Sequence, residues 1–235
     1  MIFLGIETSG RAGSVAVADN DQLLGEVDLS ASGRRHARTL VPEIAALLSS
    51  LQLTPQDVDV VAVSIGPGSF TGLRVGVTCA KTLAYATGCR LVAIDTFLAV
   101  AAAQQDTTRV WVIDDPLRGD LFAGEYEQQE GLWRCVSPAQ LQSLDSWRSR
   151  RKPEERITGP GLVTLEKEFT GSSLGESSTR LPHARSVVFL ANQQAQTGHF
   201  ADPWTLSPFY MRRSAAEEKA DEKGLASSSA QPSGQ

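Results

Sequence analysis

Histidine is nearly missing from this chain. His36, His183 and His199 are its three histidines, and neither HxxxH nor HExxH spacing occurs among them. That argues against a histidine-built metal site. Cysteine is as sparse: Cys79, Cys89 and Cys135 make an odd count, with no CxxC pair. A disulfide framework or a zinc site does not fit that pattern, and a reducing cytoplasm is the expected compartment. No apolar run approaches the roughly 20 residues that cross a bilayer. The opening "MIFLGIETSG" has no basic start and its apolar run stops at Glu7, so it reads as a strand and not a signal peptide. Positive charge is also short. The net charge of −5 gives the whole chain no electrostatic pull toward nucleic acid.

What is present is ordinary globular composition arranged as alternating strands and helices. Ile2–Ile6, "GSVAVAD" (13–19) and "QLLGEVDLS" (22–30) read as three strands with tight links, hence an antiparallel meander. Leu40, Ile44, Leu47, Leu48 and Leu51 fall at helical spacing, with Pro42 in the first turn or at a kink. "VDVVAVSIG" (58–66) has the continuous apolar character of a strand buried on both faces. A glycine-rich turn and a helix over 71–86 follow, ended by Gly88. "LVAI" (91–94) is another strand, after which Thr96 can cap a short helix.

The plan then begins again, with strands at 109–114, 120–127 and 132–137. Ser137-Pro138 suggests a helix start leading toward Trp147. "RIT" (156–158), "GPG" and a helix follow, and a last helix spans 185–198. The expected organisation is an N-terminal lobe over 1–105, a C-terminal lobe over 106–213 and a disordered, polar tail over 214–235.

The segment "SIGPGSFTGLRVG" (64–76) leaves a strand, turns tightly and enters a helix. Such a helix start can hold an anion. It has neither the lysine of a Walker loop nor GxGxxG spacing. Gly72, Gly76, Ala80 and Ala84 instead recur every four residues, a strip of small side chains on one helix face. Glycine costs a helix about 1 kcal/mol relative to alanine, so the strip points to close packing. The partner is the helix at 38–51 or a helix of another chain. "GIETSG" (5–10) offers Thr8, Ser9 and Gly10 as phosphate donors and Glu7 to orient a metal-bound water, or else is a capped hairpin turn, the reading the residues alone favour. Arg34, Arg35 and Arg38 surround His36 as a phosphate contact, an acidic-partner contact or a solvated helix start. Asp95, Asp114 and Asp115 stand at strand ends, where α/β enzymes place acids and bases, and where turns place them too.

Together, "GIETSG…GSVAV", "HARTLVPEI", "SIGPGSFTGLRVGVTCAKTLA" and "AIDTFLAVA" resemble the TsaB family of bacterial tRNA threonylcarbamoyladenosine biosynthesis subunits, closely over about the first 105 residues. "IDDPLRGDLFAGEY" and "SPFYMRRSAAEEKA" resemble later family stretches. Two departures stand out: Glu7 replaces a frequent Asp, and the stretch around Asp115 to Arg118 carries one extra residue. The resemblance implies a two-lobed actin-like (ribonuclease H-like) α/β fold, each lobe a mixed sheet flanked by helices. It implies a non-catalytic scaffold, a pseudoenzyme that pairs with a TsaD-like catalytic subunit and a TsaE-like ATPase, forms a homodimer when alone, and meets tRNA only through the complex. No membrane association follows from it. The implied interface comprises Leu40, Ile44, Leu47 and Leu48 with Gly72, Val75, Gly76, Cys79, Ala80 and Leu83. Glu7, Thr8, Ser9 and Gly10 become a vestigial nucleotide loop. No cofactor is expected to bind tightly, with ATP and magnesium left to the partner interface, and no metal is expected. The competing readings are a stand-alone actin-like ATPase or small-molecule kinase, and a peptidase.

Overall fold

In the computed structural model, which describes residues 1–10, 12–29, 36–116, 119–152 and 154–211, β-branched runs become strands and the small-residue helices pack on them. Arg34, Arg35, Arg118 and the 214–235 segment lie outside the described residues. Strands β1 (Ile2–Glu7), β2 (Ser14–Asp19) and β3 (Gln22–Asp28) form the expected antiparallel meander. Helix α1 (His36–Ser50), with Pro42 inside it, returns the chain to β4 (Val60–Gly66), which lies parallel beside β1. Helix α2 (Phe70–Thr87) makes the next crossover to β5 (Arg90–Asp95), parallel to β4. The order is β3-β2-β1-β4-β5.

Helix α3 (Thr96–Ala102) leads into the second sheet. There β6 (Arg109–Asp114), β7 (Asp120–Gln129) and β8 (Leu132–Ser143) form a second meander. Helix α4 (Leu144–Arg150) precedes β9 (Arg156–Thr158), which is parallel to β6, and the one-turn α5 (Leu162–Leu165) follows. The order β8-β7-β6-β9 repeats the arrangement of the first four strands of the other sheet. The repeated plan is therefore a repeated topology.

Three readings change. Ser137 and Pro138 do not start a helix; they lie within β8, on the sheet edge and beside register shifts in its pairing with β7. An edge or bulge is where a strand accepts proline, because no ladder hydrogen bond is lost. The helix starts at Leu144, capped by the Ser143 hydroxyl, which accepts from the Ser146 N–H at 3.3 Å. The cap of α3 is Asp95 and not Thr96: its Oδ1 accepts from Phe97 and Leu98 N–H at 2.8 and 3.3 Å. Helix α6 (Ala184–Gln196), which the division at residue 105 assigns to the second lobe, packs on the first sheet. A Cβ on Gly5 would stand 2.6 Å from Val188 Cγ1 and 2.8 Å from the Ala184 carbonyl oxygen. Helices α3 and α6 share one apolar core with Phe3, Val92, Val112 and Tyr126, so the two sheets meet through a common layer. The other face of the first sheet carries α1 and α2, through Leu40, Ile44, Leu48, Val77 and Ala80 against Leu4, Ile6, Val61 and Val63.

Candidate functional site

The glycine-rich turn is held from two sides. Behind it, Ser69 N–H donates to the Ser9 carbonyl at 2.6 Å, and the Ser69 hydroxyl caps α2 by accepting from Gly72 N–H. On the other side, Phe209 N–H donates to the Ile65 carbonyl at 2.7 Å, and the Phe209 carbonyl presses on Gly66. Gly66 has φ 129°, a conformation that suits glycine, and a Cβ there would overlap Phe209.

The turn after β1 is engaged internally. Thr8 Oγ1 donates to the Gly72 carbonyl at 2.8 Å. Ser9 donates both its N–H and its hydroxyl to Glu7 Oε1 at 2.5 Å, while the Ser64 hydroxyl donates to Glu7 Oε2. Glu7, Thr8 and Ser9 are buried. Burial raises the Glu7 pKa above the usual carboxylate range, opposed by the bonds from Ser64 and Ser9 and more weakly by His183. Glu7 thus ties β1, its turn and β4 into one unit that fixes where α2 begins.

The small strip of α2 faces this unit. A Cβ at Gly72 would overlap the Thr8 carbonyl oxygen, and one at Gly76 would overlap Thr8 Oγ1 and stand 3.5 Å from Ile6 Cγ2. Close packing was legible in the four-residue recurrence, but at the two glycines a strand and turn approach, not a helix. Of the residues expected at an interface, Leu40, Ile44, Leu47, Leu48, Gly72, Gly76 and Ala80 are buried within the chain. Val75, Cys79 and Leu83 are half-buried along the outer side of α2. Burial pushes the Cys79 thiol up to about 11, so it is a packing group and not a nucleophile at neutral pH. On the adjacent α1, Val41 is 64% exposed, and Ala45 and Ala46 are exposed with it, on the side that the leucine and isoleucine spacing of this helix does not mark.

In the second lobe, Gly159 and Gly161 of "TGPG" follow β9, as the Gly66-Pro67-Gly68 turn closes β4. Gly161 N–H donates to the Ile113 carbonyl at 3.0 Å, and a Cβ on Gly161 would stand 2.9 Å from Asp114 Cα. Asp114 ends β6 as Glu7 ends β1. Burial pushes its carboxyl up to about 6; Asp115 adds charge repulsion, and the Asp115 N–H, donating at 2.9 Å, opposes both. The folded state therefore keeps a proton that the unfolded chain releases near pH 4. Stability from this group is full below that point, falls as pH rises to about 6, and stays reduced above. Asp114→Asn keeps the acceptor for Asp115 and removes the charge. It is expected to add about 3 kcal/mol at pH 7.5 and nothing at pH 3. Thermal unfolding at the two pH values checks this; an equal shift at both would refute it. Asp115 accepts from the Thr164 hydroxyl at 2.7 Å, and Asp95 accepts from the buried Tyr126 hydroxyl at 2.8 Å, a hydrogen bond between the lobes. These acids serve caps and links. Among the described residues no three His, Cys, Asp or Glu side chains are grouped to share a metal, and no helix is long and apolar enough to cross a membrane.

Two sheets of one topology, joined through shared helices with a glycine-proline-glycine turn in each, define a two-lobed actin-like protein. The family described as tRNA N6-adenosine threonylcarbamoyltransferase, TsaD, matches residues 30–158, more than half of the chain. The tRNA threonylcarbamoyladenosine biosynthesis protein TsaB of Bacillus subtilis is 29% identical, covering 93% of this chain and 97% of its own. The TsaB protein of Escherichia coli is 26% identical over 93% of this chain and 98% of its own. A crystal structure from Pseudomonas aeruginosa, described as an uncharacterized protein with similarity to peptidase YEAZ, superposes with a TM-score of 0.77 at 25% identity, over 90% of this chain and 99% of that one. The chain belongs to the tRNA N6-adenosine threonylcarbamoyltransferase family and stands with its TsaB proteins.

Proposed function

We propose that this chain is the non-catalytic scaffold of a tRNA threonylcarbamoyladenosine-forming assembly, pairing through α1 and α2 with a TsaD-type catalytic subunit. The observation that carries the reading is the closed turn at Glu7–Ser9. Its hydroxyls donate to Gly72 and Glu7, and its backbone is packed against Gly68 and Gly72. A triphosphate with magnesium needs those same donors and an accessible carboxylate, so the geometry does not fit that group, and no catalytic step runs through it.

The docking surface is what the two helices leave outside the core: Val41 and Ala45 on α1, and Val75 and Cys79 on α2. These small, uncharged side chains let another helix pair approach closely. A second copy would use the same face when the catalytic subunit is absent. A TsaE-type ATPase and tRNA join through the assembled complex, and the site of action is the cytoplasm.

The test is co-purification with the TsaD-type protein of the same cell, together with ATP turnover by the isolated chain. Stable pairing with negligible turnover is expected. Turnover by the chain alone, without pairing, would instead support a stand-alone ATPase or kinase.

A further inference from the structure

The flank of α2 away from that docking face meets the segment that follows α6, and between them lies an open groove of about 620 Å³. Its wall is aromatic and cationic. Phe70 and Tyr210 pack with ring centres 4.5 Å apart, and the Arg74 guanidinium stands 5.2 Å from the Phe70 ring centre. Lys81 also lines the groove, holding the segment by donating from Nζ to the Leu206 carbonyl at 2.8 Å. Outside the groove's lining, one helical turn beyond Lys81 and two residues before Leu206, Tyr85 and Trp204 pack edge to face at 5.4 Å although they are 73% and 76% exposed. Large aromatic rings left in water by a folded chain mark a binding surface more often than a packing error.

Charge identifies the occupant. The chain carries −5 overall, yet among the described residues no carboxylate lines this groove. The nearest acid along the segment, Asp202, is turned to its own backbone and accepts from Trp204 N–H and the Thr205 hydroxyl. Exposed rings interleaved with cations, without acids, suit an unpaired stretch of polyanion whose bases stack while its phosphates meet arginine. A duplex offers no free base faces. An acidic protein surface would match the cations but leave the Tyr85–Trp204 rings without a reason to be bare.

We infer that the α2 groove holds a single-stranded segment of the RNA substrate when the complex is assembled. The inference rests on the proposed role in tRNA modification and adds a contact from this chain to it. The two modest cation contacts explain why the isolated chain needs the complex to hold RNA.

The test uses the full complex and an unmodified tRNA transcript, read by fluorescence anisotropy across a salt series. Arg74→Glu is expected to weaken RNA binding about tenfold and to flatten the salt slope by roughly one ion. Trp204→Ala is expected to weaken it about tenfold with the slope unchanged, and Trp204→Phe to restore most of the loss. Assembly measured by ultracentrifugation without RNA should be the same for all three. Unchanged RNA affinity in Arg74→Glu and Trp204→Ala overturns the inference while the scaffold reading stands. Weakened assembly in either variant also overturns it, because the groove is then a protein contact. If the wild-type complex assembles but retains no RNA, both readings fail.

Discussion

Gly72→Ala is expected to destabilise this protein by about 3 kcal/mol, the reverse of what the exchange does in an isolated helix. Alanine is the better helix former by about 1 kcal/mol. Here the added methyl would occupy the position of the Thr8 carbonyl oxygen, which belongs to backbone and cannot swing aside. Relieving the overlap means moving α2 away from β1 or breaking the Thr8–Gly72 and Ser9–Ser69 bonds. Overpacking of that kind costs roughly 1–3 kcal/mol, sometimes more. In a chain of this length the melting temperature should fall by about 6–12 °C. Gly88→Ala is the comparison, since a Cβ there meets nothing within 4 Å and the strain comes from its φ of 76° alone. Its cost should be smaller, near 1 kcal/mol. A Gly72→Ala protein that melts within 2 °C of the parent would mean that the turn yields, and that α2 is not positioned by it.

Ala45→Arg is expected to abolish pairing with the catalytic subunit while leaving the chain itself intact. Ala45 is exposed on α1, so the substitution should change the melting temperature by about 1 °C at most. Inside a close helix–helix contact the same side chain adds bulk and an unpaired charge. A penalty of roughly 3 kcal/mol or more, about a hundredfold or greater loss of affinity, follows from burying it without a partner. Titration calorimetry measures the loss, with Ala45→Ser as the control that keeps the size small. Parent-like affinity in the arginine variant would place the docking surface elsewhere.

Local signals carried much of this architecture. The continuous apolar run 58–66 became a strand buried between two others, and Gly88 closed α2 in the left-handed conformation expected of it. Small residues at every fourth place reported that something approaches closely, but spacing within one helix does not say what. A strand with its turn does so at the two glycines, and it lies more than sixty residues away in the chain. Pro138 misled because proline is as acceptable at an irregular edge strand as at a helix start, and that choice depends on pairing with β7. The position of α6 could not be read locally either. Its apolar face would suit either sheet, and only long-range contacts such as Gly5 against Val188 decide between them. The Glu7 network was half legible: the residues were visible in "GIETSG", but Ser64, which closes it, comes from another strand.

The route of the chain through the two lobes has a consequence for its synthesis. Strand β1 is made well before the helix that covers Phe3, Ala16 and Ala18 on its sheet, which ends at Gln196. The second lobe is an insertion completed while the first still waits for its cover. The half begun first is finished last, and a nascent chain stalled before α6 emerges would present an uncovered apolar sheet face to whatever it meets.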